Sequence, residues 1–140
     1  MVVKRLGLLV LFVVAALYDG ILGLAFLWDP NAVFAWGQVT PPNHLGYVQF
    51  PGALLIIFAL MFLAVAIRPR ENRTLIAYGV LLKLAYCGIA ISYWVTSGIP
   101  SMFKPFAVID LVFLVLFVVA YRALGEKAAV SPPAGVAAGS

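Results

Sequence analysis

A chain of 140 residues that is 65% hydrophobic and only 10% charged, with a mean hydropathy of +1.11, lies far outside the composition of soluble globular domains. The net charge of +4 does not point to nucleic acid either, because the nine Lys and Arg are scattered between apolar segments and form no basic surface. What remains is an integral, multi-pass membrane protein of one domain, with the lipid bilayer as its first partner; at about 20 residues per span there is room for four or five spans.

Four spans are expected. The first covers residues 6–28: it follows Lys4 and Arg5, stays apolar except at Asp19, and closes on Trp28, an interface residue. Its length favours a retained helix over a cleavable signal. Between this span and the next, "WDPNAVFAWGQVTPPNH" opens on an Asp-Pro turn and carries Phe34 and Trp36, so its middle reads as a short helical turn on the bilayer surface, an aromatic anchor first and a lid over what lies below only second. Residues 45–67 form the second span, with Gln49 and Pro51 near its start and a stop at Arg68, Pro69 and Arg70. The third covers 74–95. The fourth, 105–124, starts at Pro105, a residue suited to a first helical turn, and ends near Tyr121 and Arg122. Lipid leaves backbone groups no partners outside the segment, and runs this long and uniformly apolar are not barrel strands, so the fold class is an all-α bundle of four transmembrane helices over residues 1–124. The remainder, 125–140, is small, Pro-containing and free of aromatics, and reads as a disordered tail.

Seven Lys and Arg flank the spans on one side (Lys4, Arg5, Arg68, Arg70, Arg73, Arg122, Lys127) and one, Lys104, on the other. By the positive-inside rule both termini are cytoplasmic.

Ionisable residues inside the spans are Asp19, Lys83 and Asp110, each costing roughly 2.5 to 3.5 kcal/mol at a helix centre. Such residues need partners. Counted from the outer ends at ~1.5 Å per residue, their depths are about 14, 18 and 8 Å, so the Lys83 stem can rise toward Asp19 and also reach Asp110. Helical spacing puts Gly79, Lys83, Tyr86, Cys87 and Ala90 on one face and Ala15, Asp19, Leu22, Gly23 and Phe26 on another, both mixtures of small and polar residues that pack in a bilayer. The expected site is a cluster of Asp19, Lys83 and Asp110 with Tyr86 and Gln49, opening outward past a mouth of His44, Tyr47 and Trp36. Taken alone, the shallow Asp110 reads as a hydrated interfacial carboxylate, and Lys83 with Asp19 reads equally well as a strut between helices. A short echo, "YDGI" from Tyr18 and "YCGI" from Tyr86, each followed by a Trp and a Pro, fits a parallel repeat of two hairpins.

Absences narrow the chemistry. One Cys, Cys87, makes no internal disulfide and no CxxC centre, and one His supplies no pair of axial haem ligands. Neither a HExxH, a GxSxG nor a phosphate loop occurs, and carboxylates outside the spans are too few for a metal cage, so no catalytic residue, metal or cofactor is expected and an enzyme is the less favoured reading.

From Leu6 to Leu124 the chain resembles the small bacterial four-helix inner-membrane proteins that include the DoxX-like group, in size, in topology and in "QFPG" at the start of the second span. Gln49 stands where that group tends to place an acidic residue. The resemblance implies an accessory or redox-associated role and carries no catalytic residue onto this chain. Three functions follow: an accessory or structural subunit of a membrane complex, with a membrane protein or a second copy as partner; a binder of a small lipophilic or anionic ligand at Lys83; and a proton-coupled small transporter. The transporter ranks last, because Lys83 competes for Asp19.

Overall fold

The computed structural model describes residues 2–130 of the chain, with side chains over residues 4–126. It contains five helices: α1 (Val2–Trp28), α2 (Pro30–Trp36), α3 (Gly46–Ile67), α4 (Arg73–Thr96) and α5 (Phe103–Val130). Four of them, all but α2, are long and apolar enough to cross a membrane, and no strand occurs among the described residues. Their outward faces carry Leu9, Leu17, Leu24, Ile57, Leu60, Leu81, Val112 and Val119, all exposed, which is the surface a hydrocarbon solvent requires and water penalises.

Each boundary has a local cause. The side chain of Asp29 caps α2 by accepting a hydrogen bond from the Ala32 backbone N–H at 3.1 Å, and Pro30 supplies a first-turn residue that has no N–H to satisfy. Asn72 Nδ2 donates to the Ala64 carbonyl at 2.9 Å, a second bond beside the one that carbonyl accepts from the Arg68 N–H, and so fastens the end of α3 as the chain turns into α4. Beyond α4 the turn needs a left-handed residue, and Gly98 provides it at φ +82°. At the carboxyl end α5 runs to Val130, six residues past the expected end of the span at Leu124. Glu126, Lys127, Ala128 and Ala129 are good helix formers, so the charges of Glu126 and Lys127 end a span without ending a helix. Of the expected disordered tail, residues 131–140 lie outside the described residues.

The helices pair as two hairpins. α1 packs closely on α3, and α4 on α5, whereas α3 with α4 and α1 with α5 touch far less. Glycine governs the first pairing: a Cβ on Gly23 would come within 2.5 Å of the Gly52 carbonyl oxygen, and one on Gly52 would meet the Gly23 carbonyl oxygen at 3.1 Å. With no driving force from water, such close backbone approach is what holds apolar helices together. α3 runs through Pro51 unbroken; the ring removes one N–H and frees the Tyr47 carbonyl from its usual partner.

Across the basic end of the molecule the hairpins are joined by aromatic packing. Phe12 of α1 stacks on Phe117 of α5 with centroids 5.1 Å apart, and Phe62 of α3 meets the same ring at 5.1 Å. All three are fully buried, as is Ile76 of α4. Gly79 opens the space for Phe62, since a Cβ there would lie 2.8 Å from the ring. Arg73 fastens the rim, donating from Nε to the Tyr121 carbonyl at 2.9 Å with its guanidinium 3.7 Å from the Tyr121 ring centroid. Toward the other end this packing stops, and the space between α3 and the second hairpin stays open.

Replacing Gly23 with Leu should force α1 and α3 apart and destabilise the protein by about 1 to 3 kcal/mol, the usual cost of overpacking. A lowered midpoint in detergent unfolding would register the effect, and Gly88→Leu serves as control because a Cβ at Gly88 meets nothing within 4 Å.

Candidate functional site

Three helices each contribute one ionisable side chain to a point between the hairpins. Lys83 Nζ of α4 donates to Asp19 Oδ1 of α1 at 2.8 Å and to Asp110 Oδ1 of α5 at 2.9 Å. Asp19 and Lys83 are each 1% exposed and Asp110 is 7% exposed. Asp19 and Lys83 belong to different hairpins, so their ion pair ties one hairpin to the other, while Asp110 holds Lys83 from within its own. The Tyr18 and Phe113 ring centroids both lie 5.3 Å from Nζ, presenting π faces to the charge. Two of the three ammonium protons go to carboxylates and the remaining direction is lined by aromatics.

The accounting is complete for Lys83 but not for its partners. Asp19 Oδ2 and the Tyr18 hydroxyl are buried with no hydrogen-bond partner among the described residues. An unsatisfied buried polar atom costs about 1 to 3 kcal/mol, and here two are adjacent in sequence beside a cavity.

That cavity, of about 410 Å³, lies between α3 and the second hairpin. Asp19, Lys83 and Asp110 line its inner end. Leu22, Phe26, Leu55, Phe58, Leu82 and Phe106 make the apolar walls, and Phe34 of α2, itself buried, contributes from above. Phe34, Phe26 and Met102 form one small core with Val39, Val48 and Phe103 packed on it. The α2 segment is therefore a roof over the cavity, and Gly37 rests directly on Met102. The lining residues left exposed, Tyr47, Pro51 and Leu54, all belong to α3. The opening is consequently at the side, along α3, instead of straight outward as the depths alone suggest.

Other expected site residues fall in different places. Tyr86 lines the cavity, but its hydroxyl donates to the Phe103 carbonyl at 3.4 Å and not toward Lys83. Asp110 is buried and bonded where a hydrated surface carboxylate is expected, because α5 begins at Phe103 and the roof covers the first turns. Gln49 is outside the cavity lining; its amide donates to the Leu27 carbonyl at 3.4 Å and ties the start of α3 to the end of α1. His44 also lies outside the lining, its Nδ1 accepting from the Gly46 N–H at 3.0 Å. Trp36 is 78% exposed, at the end of α2. Two residues apart on a helix, Phe34 and Trp36 face different ways, and it is Phe34 that turns inward. Phe58 and Leu55 escape sequence reading because nothing marks them among other apolar residues, although with Pro51 they follow the i, i+4, i+7 spacing of one face.

Held between two carboxylates, Lys83 is a hydrogen-bond donor and counter-ion, not a free amine available as nucleophile. Among the described residues no three His, Cys, Asp or Glu side chains gather into a possible metal site. Comparison of the chain with protein-family models, with curated proteins and with solved structures gives no match in any of the three. The arrangement must therefore be read from its own chemistry: an apolar chamber whose far wall carries charge.

Lys83→Met alone should be strongly destabilising, by about 3 to 5 kcal/mol, since it strands two carboxylates in an apolar interior. Lys83→Met with Asp19→Leu still strands Asp110. Only the triple change that also carries Asp110→Leu removes every buried charge, and it should recover most of the lost stability, as measured by unfolding midpoints in one detergent.

Proposed function

We propose that this chain is a multi-pass protein of the inner membrane, with both termini cytoplasmic, that binds a lipophilic small molecule in the chamber between its hairpins. The observation that carries the reading is the chamber of about 410 Å³ ending at the Asp19–Lys83–Asp110 cluster, where buried polar atoms have no partners among the described residues. Its volume falls within the range of ~300 to 1,000 Å³ typical of small-molecule sites, and such sites are mostly apolar with a few polar groups that fix orientation. An opening along α3 suits a ligand that arrives through lipid. The roof of α2 suits retention.

Orientation belongs to the same proposal. Arg5, Arg68, Arg70, Arg73 and Arg122 gather at the end of the helices opposite α2, as the positive-inside rule asks of a cytoplasmic side. Kinship with the DoxX-like group is part of the proposal too, resting on size, topology and "QFPG" from Gln49 to Gly52. The second reading, an accessory subunit of a membrane complex, is favoured by the slight contact between α3 and α4, a seam against which a partner's helix can pack. A third, the proton-coupled transporter, loses its earlier objection in part: Lys83 competes for Asp19, but Asp110 supplies a second carboxylate.

Leu55→Trp adds bulk to the chamber wall without touching the charged cluster. Native mass spectrometry of protein purified in mild detergent should show a small molecule bound to the wild type and missing from Leu55→Trp. A stoichiometric protein in its place would favour the accessory subunit. Reporters placed after Arg70 and after Gly125 should read cytoplasmic, and one at Gln38 external; an external Arg70 would reverse the orientation.

A further inference from the structure

We infer that the chamber's occupant is a lipophilic cation, an ammonium-headed amphiphile whose charge completes the cluster of Asp19, Lys83 and Asp110. This rests on the chamber being a ligand site and adds the chemical class of its ligand. Charge stoichiometry is the first ground. One ammonium faces two carboxylates, so the cluster is neutral only with a proton on one carboxyl or with a second cation beside it, and an ammonium head that takes the proton's place makes the balance two to two.

Hydrogen-bonding capacity points the same way. Lys83 spends two protons on carboxylates and turns the rest of its ammonium toward the faces of Tyr18 and Phe113, leaving little for an anionic head group to bind. Among the described residues Lys83 is also the only Lys or Arg that lines the chamber. Acceptors, by contrast, are in surplus. Asp19 Oδ2 has no partner among the described residues, and Asp110, which lines the chamber, keeps 10% of its side-chain surface open. An incoming ammonium meets Asp110 first. The chamber lining also carries the aromatic rings of Tyr18, Phe106 and Tyr86, a ring type whose faces attract cations and repel anions. A neutral alcohol can donate one hydrogen bond here but leaves the charge unbalanced, and a carboxylate head adds a third negative group.

Three probes of equal chain length separate these cases: dodecylammonium, dodecanol and dodecanoate, added to the purified full-length protein in lipid nanodiscs while the unfolding temperature is followed. Dodecylammonium should raise it by several degrees, dodecanol by much less and dodecanoate not at all, because only a ligand that binds the folded state shifts the transition. The dodecylammonium shift should vanish in Leu55→Trp, which fills the chamber, and in Asp110→Asn, which removes the excess charge. Should Asp110→Asn fail to fold, Leu55→Trp carries the test alone. Equal or greater stabilisation by dodecanoate overturns the cationic assignment and leaves the chamber as a ligand site of another class. A dodecylammonium shift that survives in Leu55→Trp places the amine elsewhere and overturns the inference. If no probe shifts the wild type, the cationic assignment falls; if native mass spectrometry also finds the wild type empty, the ligand site falls with it.

Discussion

Everything else in this molecule is arranged around one ammonium group in an interior that cannot solvate it. Lys83 is 1% exposed, and the cost of an unpaired charge at that depth exceeds what the apolar packing nearby can offset. Asp19 and Asp110 must both come to it, one from each hairpin, which fixes the rotation of α1, α4 and α5 about their axes. Small residues make this possible. Gly23 and Gly52 let α1 and α3 cross at backbone contact, and Gly79, one turn before Lys83, yields its space to Phe62. A helix that carries an ionisable residue at its centre is thereby held in one register by polar contacts, whereas lipid-facing apolar residues slide past one another with little penalty.

The two ends of the bundle then do different work. At the basic end Phe12, Phe62 and Phe117 pack ring against ring between the hairpins, and Arg73 locks α4 to α5 against the Tyr121 ring. Toward the α2 end the hairpins diverge, and the chamber occupies what packing leaves over. A structural strut needs one acid for one base and no cavity. Here there are two acids, a cavity beside them, and an acid oxygen without a partner among the described residues. This excess separates the cluster from a simple clasp, and the proposed binding of a ligand rests on it.

Much of the architecture is legible in the sequence because the bilayer imposes so few solutions. Uniform apolar runs bounded by Arg68, Arg70 and Arg122 can only be helices of about the length found, and the Asp-Pro pair at Asp29 and Pro30 announces the short α2. The meeting of Asp19 with Lys83 is likewise readable from depth and from the cost of leaving either alone. What escapes is whatever depends on rotation of one helix against another. Asp110 is shallow by residue count, yet the roof above it removes the water that its depth suggests. In α2 the inward residue is Phe34 and not the larger Trp36, a matter of about half a helical turn. Gln49 and His44 look like site residues by polarity, but each satisfies a nearby backbone group. Polar residues at helix ends have such local uses available, whereas a lysine at mid-span has none.

The central claim is that one buried ammonium holds two carboxylates from two hairpins at once. Solid-state NMR in lipid bilayers tests it most directly, on protein carrying ¹⁵Nζ-lysine and ¹³Cγ-aspartate. One lysine of the chain, identified as Lys83 by its loss in Lys83→Met, should show strong dipolar coupling to two aspartate carboxyl carbons, and removing either Asp19 or Asp110 should leave coupling to one. A Lys83 Nζ coupled to a single carboxyl carbon, or to none, would contradict the account.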